Sequence, residues 1–169
     1  TRYGQIFDFK VVSCRLSGVY GPMDRWRPSR AYHCPPYVAI HHGLAGKPVR
    51  INAPSGVGDH IHSQDVARGL ISLLEKDGPF AHSVYNIAQG EAVTLEQLLK
   101  IAQGVVPDLI WEIADPADCD IVMDPTFLGG RWGAYDISRM VAETGWRPRP
   151  VATALADYAD FVREFGQTL

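Results

Sequence analysis

The sequence predicts an α/β fold, and three observations lead there. Short apolar runs rich in β-branched residues recur at 11–16, 49–52, 83–88 and 109–114, as buried strands do. Between them lie segments whose apolar residues return every three or four positions, the spacing of helices with one buried face. Strands and helices alternate along most of the chain, which is how parallel-type strands are connected.

Composition narrows the class of protein. At 169 residues the chain is long enough for one domain with a real core. Its 46% hydrophobic and 21% charged residues are ordinary for a globular protein. A net charge of −3 offers no basic field to nucleic acid, and no apolar run approaches the length of a membrane span, so neither partner is expected. Cys14, Cys34 and Cys119 are odd in number, irregularly spaced and without a C-x-x-C pair, which reads as reduced thiols in a cytoplasmic protein. The chain opens at Thr1 with neither Met nor a signal-like segment, so a truncated start is expected.

Residues 1–7 read as the last turns of a helix. The run at 11–16 ends in Ser17-Gly18-Val19-Tyr20-Gly21-Pro22, so a strand stopping at Leu16 and turning through small residues is expected. Ligands of open α/β sheets bind beyond the carboxyl ends of strands, which makes this turn a candidate ligand edge, although the local pattern alone favours an ordinary core strand with a tight turn. Arg15 is charged in an apolar run and needs a partner if buried, with Asp65 as a candidate. Next, Arg25, Arg27 and Arg30 share residues 25–32 with Trp26 and Tyr32 in a proline-stiffened loop. Arginine grips carboxylate or phosphate through paired hydrogen bonds, and the aromatics can stack on a ring.

A short helix is expected over 37–45, closed by Gly46, then a strand at 49–52 and another at 59–62. Gly56-Val57-Gly58 is not a phosphate loop, because position 61 is Ile and no helix follows directly. His60 and His62 would share one face of the strand, but no third ligand lies at metal-site spacing, so hydrogen-bonded histidines and no metal are expected. Val66, Leu70, Leu73 and Leu74 form the buried stripe of a helix, with Asp65 capping its start. Thr94-Leu95-Glu96-Gln97 is a capping box opening a helix with Leu95, Leu98, Leu99 and Ala102 inward and Gly104 at its end. Residues 115–133 read as a solvated acidic loop carrying Asp115, Asp118, Asp120 and Asp124, without the pattern of a calcium loop. Asp136 caps a short helix ending at Gly145, and a last helix over 151–165 turns Val151, Leu155, Tyr158, Ala159, Val162 and Phe165 inward.

Four stretches in one order resemble the NAD-dependent epimerase/dehydratase family, the extended short-chain dehydrogenases/reductases. Arg15-Leu16-Ser17-Gly18-Val19-Tyr20-Gly21-Pro22 is similar to R-x-x-N-V-Y-G-P, and residues 59–67, DHIHSQDVA, to R-D-x-I-H-V-x-D-V-A. Tyr85-Asn86-Ile87-Ala88 is similar to Y-N-I/L-G. Asp136-Ile137-Ser138-Arg139 with Gly145-Trp146-Arg147-Pro148 is similar to D-x-S-K…L-G-W-x-P. The resemblance covers nearly the whole chain but only the C-terminal half of the family pattern; the family's Gly-rich loop and Y-x-x-x-K pair are not among these residues.

The resemblance implies the C-terminal part of a Rossmann-like parallel sheet plus a small α/β substrate-binding subdomain. Residues 1–20 would end the nucleotide-binding sheet and 21–169 would be mainly substrate-binding, with strand 83–88 returning to the sheet. It implies NAD or NADP beside Leu16, Ser17 and Val19, and a small sugar-like substrate near Gly18, Arg25, Arg27 and Arg30. The chemistry implied is hydride transfer at a sugar carbon, with no catalytic residue in this stretch and a possible homo-oligomer. The alternative is a non-catalytic binding or scaffold module that keeps the fold. The chain departs from the pattern at Gly18, where nucleotide-sugar members carry Asn, and at Gly58, where they carry a diphosphate-gripping Arg; a simpler acidic or neutral sugar-like substrate follows.

Overall fold

The computed structural model describes residues 2–7, 9–25, 33–123 and 133–166. Helix α1 (Arg2–Phe7) precedes strand β1 (Ser13–Leu16), and after a single residue the chain enters β2 (Gly18–Tyr20). Helix α2 (Pro35–Leu44) starts on two prolines, where the missing N–H groups cost nothing. Strands β3 (Val49–Ile51), β4 (Val57–Gly58) and β5 (His60–His62) follow, and β5 runs directly into α3 (Ser63–Leu74). Then come β6 (Val84–Ile87), β7 (Val93–Thr94), α4 (Leu95–Val105), β8 (Trp111–Ile113), α5 (Ser138–Thr144) and α6 (Val151–Phe165).

The strands form short ladders. β1 pairs with β6, β2 with β5 and β3 with β8, all parallel, while β4 and β7 are antiparallel. The fold class is therefore α/β, and the two apolar runs at 11–16 and 83–88 are direct neighbours, with Leu16 opposite Ile87.

β1 stops at Leu16 as expected, but the chain does not turn there: it continues through Ser17 into β2. It changes partner there: Ser17 separates the ladder with β6 from the ladder with β5, and the turn comes at Gly21. Gly21 has φ +136, and a Cβ on it would lie 2.5 Å from Ser63 Oγ, so glycine is required for the turn to press against the start of α3. Arg15 faces outward and is exposed, so it needs no buried partner.

Two apolar clusters hold the elements together. The larger gathers α2, α4 and α6 against β3, with Ile40, Ile51, Leu98, Leu99, Leu155 and Tyr158 at its centre. The smaller packs Val66 and Leu73 of α3 against Ile61, Tyr85, Ile87, Met140 and Trp146. Gly69 lets this happen, since a Cβ there would meet Ile87 at 3.0 Å and Trp146 at 3.2 Å. The stripe expected on α3 is only half correct: Leu70 and Leu74 are exposed, Leu74 by 84%, because the smaller cluster covers one side of the helix. On α6 the inward residues are Val151, Ala154, Leu155, Tyr158 and Ala159; Phe165, in the last turn beyond the packed stretch, is exposed.

Helix ends follow local chemistry. The capping box of α4 is formed, Gln97 N–H donating to Thr94 Oγ1 at 3.1 Å and Thr94 N–H to Gln97 Oε1 at 2.8 Å. The helix runs through Gly104 to Val105. Asp136 Oδ1 accepts the Ser138 N–H at 2.8 Å at the start of α5, and Gly145 closes it at φ +72. The cap of α3 is not Asp65 but His62, whose Nδ1 accepts the Gln64 N–H at 3.2 Å. In the acidic loop, Asp120 is not merely solvated: it binds the Arg50 side chain at 3.2 and 3.3 Å and its N–H at 2.8 Å. Asp124 lies outside the described residues.

Thr94→Ala removes the exposed cap alone and is expected to cost about 1 kcal/mol. Leu155→Ala, opening the centre of the larger cluster, is expected to cost about 2–5 kcal/mol. Urea unfolding measures both, and the reverse order would contradict the packing described.

Candidate functional site

The junction of β5 and α3 is built on charges taken out of water. Asp65 has no exposed surface and sits one turn into α3. Arg149 Nε donates to both its oxygens at 3.1 and 3.2 Å, the Arg149 N–H reaches it at 3.3 Å, and Arg68 closes the other side. The rest of the Arg149 guanidinium binds Asp157 and donates from Nη2 to His62 Nδ1 at 3.1 Å. Two donors therefore meet His62 Nδ1, which assigns the proton of the neutral ring to Nε2. Burial, then the Arg149 charge, pushes His62 down from 6.5 to about 4.

Asp59 fastens the other end of β5. Its Oδ1 accepts the Gln89 N–H at 2.9 Å, and its Oδ2 accepts those of Gly90 and Tyr135 at 3.1 and 3.0 Å. The segment leaving β6 is thus held beside the strand that carries the histidines.

This frame places the residues singled out from sequence, but not all in one spot. Leu16, 42% exposed, ends β1, and Ser17 has a buried Oγ with no hydrogen-bond partner among the described residues. Gly18 N–H donates to Asp59 O at 3.2 Å, and Val19 O accepts the Cys34 thiol at 3.3 Å. Gly18 lies opposite His60, whose ring also covers Gly58. Beyond β2, Arg25 and Asp24 line a cavity of about 370 Å³ with Tyr37, His41, Tyr158 and Phe161. His41 Nε2 and Tyr158 OH are 3.1 Å apart there, and burial lowers the His41 pKa. Gly18 does not line this cavity, so the structure does not bring it together with Arg25. Arg27 and Arg30 lie outside the described residues. Among the described residues no three His, Cys, Asp or Glu side chains converge as a metal site.

Arg149, Tyr158 and His60 were not picked out as site residues by sequence reasoning. Arg149 follows the G-W-R-P stretch directly, but nothing in that spacing says its partner is 84 residues away.

No protein-family model matches the chain. A probable GDP-L-fucose synthase 1 from Oryza sativa subsp. japonica is 24% identical over 148 residues, 83% of this chain and 41% of that protein. Among solved structures, WbmF of Bordetella bronchiseptica, in complex with NAD+ and UDP, superposes with a TM-score of 0.76 at 21% identity, covering 99% of this chain and 50% of that one. The UDP-glucose 4-epimerase of Thermotoga maritima gives 0.70 at 20% identity, covering 96% and 49%. The fold is that of the NAD-dependent epimerase/dehydratase family. The chain spans about half the length of the proteins it matches. No helix among the described residues is long and apolar enough to cross a membrane.

Asp65→Ala takes from Arg149 a buried charged partner while leaving it Asp157, and is expected to cost about 1.5–3 kcal/mol of stability. His60 and His62 both resist protonation when folded, being pushed down to about 4 from 6.5. The unfolded chain takes up those protons first, so the stability from keeping both rings neutral is complete above pH 6.5 and is lost as the pH falls toward 4. Thermal melts across that window, with His62→Gln flattening part of the slope, check the assignment; a slope untouched by the substitution would refute it.

Proposed function

We propose that this chain forms the substrate-binding half of an NAD(P)-dependent enzyme acting at a carbon of a sugar or nucleotide sugar. The observation that carries the reading is the edge at 16–19, where one strand passes from the parallel ladder with β6 to the parallel ladder with β5. Ligands of α/β sheets bind at such carboxyl ends. An exposed Leu16, beside a Ser17 hydroxyl with no hydrogen-bond partner among the described residues, fits a flat, partly polar ring, so Leu16, Ser17 and Val19 are assigned to NAD or NADP. When bound, the nicotinamide supplies reversible oxidation of a sugar carbon by hydride transfer.

The residues of this chain then bind and orient. Gly18 keeps the wall beside the edge low, while Arg25, Arg27 and Arg30 supply charge for an acidic or phosphorylated group. Residues 1–20 and strand 83–88 belong to the nucleotide-binding sheet, and 21–169 mainly to the substrate subdomain. The acid/base pair and the phosphate loop come from a segment outside these residues. Support comes from the half-length likeness to WbmF in complex with NAD+ and UDP, and to a Bacillus cereus UDP-glucuronic acid 4-epimerase in complex with UDP-glucuronic acid and NAD.

The 169-residue chain alone is expected to show no micromolar affinity for NAD or NADP by calorimetry. In the protein extended by the missing half, hydride transfer to NAD or NADP is expected, and Arg25→Ala should weaken substrate binding by about 1.5–3 kcal/mol. Tight dinucleotide binding by the chain alone would overturn the division of labour, and an extended protein that binds sugars without redox chemistry would make it a binding module.

A further inference from the structure

His60 is held in a way that no fold requirement explains. It stands opposite Gly18 across the β2–β5 ladder and two residues after Gly58, so all three share one face. A Cβ on Gly18 would lie 2.6 Å from His60 Nδ1, and one on Gly58 would lie 2.5 Å from Nε2. Neither glycine has a positive φ, so the backbone would take any residue at both positions. Only the imidazole ring demands glycine there.

The same ring closes a narrow crevice bordered by Pro35, Gly58, Val93, Leu98 and Met123, too tight to admit a water molecule. Its Nδ1 is enclosed and has no hydrogen-bond partner among the described residues. Charge around it is one-sided. Among the described residues no Lys or Arg borders the crevice, and the neighbouring Asp59 carboxylate is held by backbone N–H groups rather than by a cation. Burial keeps the ring neutral at ordinary pH. An anion brought to this wall meets an uncharged ring backed by a carboxylate.

We propose that Gly18, Gly58 and His60 act as one specificity-determining unit, the His60 ring lying across the two glycines so that this wall of the substrate site accepts an uncharged group and refuses an anion. The proposal rests on the reading of Gly18 as a substrate contact. It places the charged part of any substrate elsewhere, beside Arg25 in the cavity that Gly18 does not line.

The test is a set of thermal melts on the chain with Gly18→Ala, Gly58→Ala and His60→Ala, singly and in pairs. Each glycine substitution is expected to lower Tm by roughly 2–4 °C or more with His60 present, and to lose that effect in the His60→Ala background. Imidazole at mildly alkaline pH, where it is neutral, should refill the space and raise the Tm of His60→Ala; acetate of similar size should not. Should His60→Ala fail to fold, His60→Ser carries the same comparison. Glycine substitutions that are harmless beside His60, or acetate stabilising as well as imidazole, would overturn the proposal. None of these readouts uses catalysis. An extended protein without hydride transfer that still shows the coupling defeats the enzyme reading and leaves the unit standing.

Discussion

A carboxylate with no exposed surface holds the ends of this structure together. Asp65 belongs to the first turns of α3, and Arg149 lies just before α6, so their ion pair ties the middle of the chain to its last helix. Removing Arg149 would leave the Asp65 carboxylate out of reach of water with Arg68 alone to answer it, which costs far more than the pair itself contributes. Arg149 also spends its remaining donors on Asp157 and His62, so the last helix, the strand β5 and the start of α3 are positioned by one guanidinium. Five donors in a rigid fork suit that task; a lysine could not serve it.

The consequence for the edge at 16–19 is indirect but specific. β2 has only β5 as a ladder partner among the described residues, and β5 is fixed at one end by Asp59 and at the other by His62 with Arg149. Tyr20, fully buried, packs edge-on against His62 and Tyr158, with ring centroids 5.4 and 5.7 Å away. The strand can therefore change partners at Ser17 without losing its place, and the residues on either side of that change keep a defined face. Asp59 adds the loop after β6 to the same frame through backbone N–H groups alone.

Local chemistry made much of the fold legible. The capping box at Thr94, the glycine stop at Gly145 and the span of α6 follow from short-range rules, and short-range contacts obey them. That the runs at 11–16 and 83–88 belong to one sheet follows from the family resemblance; their direct parallel pairing does not. What sequence could not supply was the partner of a charge. Asp65 looked like a cap and a mate for Arg15 because both are close to a helix start and a strand in the chain; in space Arg15 points outward and Arg149 arrives from the far end. The stripe on α3 failed for a related reason, since periodicity tells which residues share a face but not whether anything lies over it. His60 stands out in sequence for its spacing to His62, yet what distinguishes it is two glycines, both on other strands.

The two apolar clusters differ in a way that bears on the half-enzyme reading. The larger is enclosed by three helices and β3, and its central residues are fully buried. The smaller has α3 and α5 around β6, while Leu16 of β1 and Leu70, Ile71 and Leu74 of α3 remain exposed beside it. Burying apolar surface stabilises by about 25 cal/mol per Å², so a helix with Leu, Ile and Leu on a second face gains substantially from a further layer. A parallel ladder with helices on one side only is also unusual, since such sheets are normally covered on both. The larger cluster has the form of a finished subdomain and the smaller that of one side of a bigger core. That asymmetry fits the proposed substrate-binding subdomain at the end of a larger sheet.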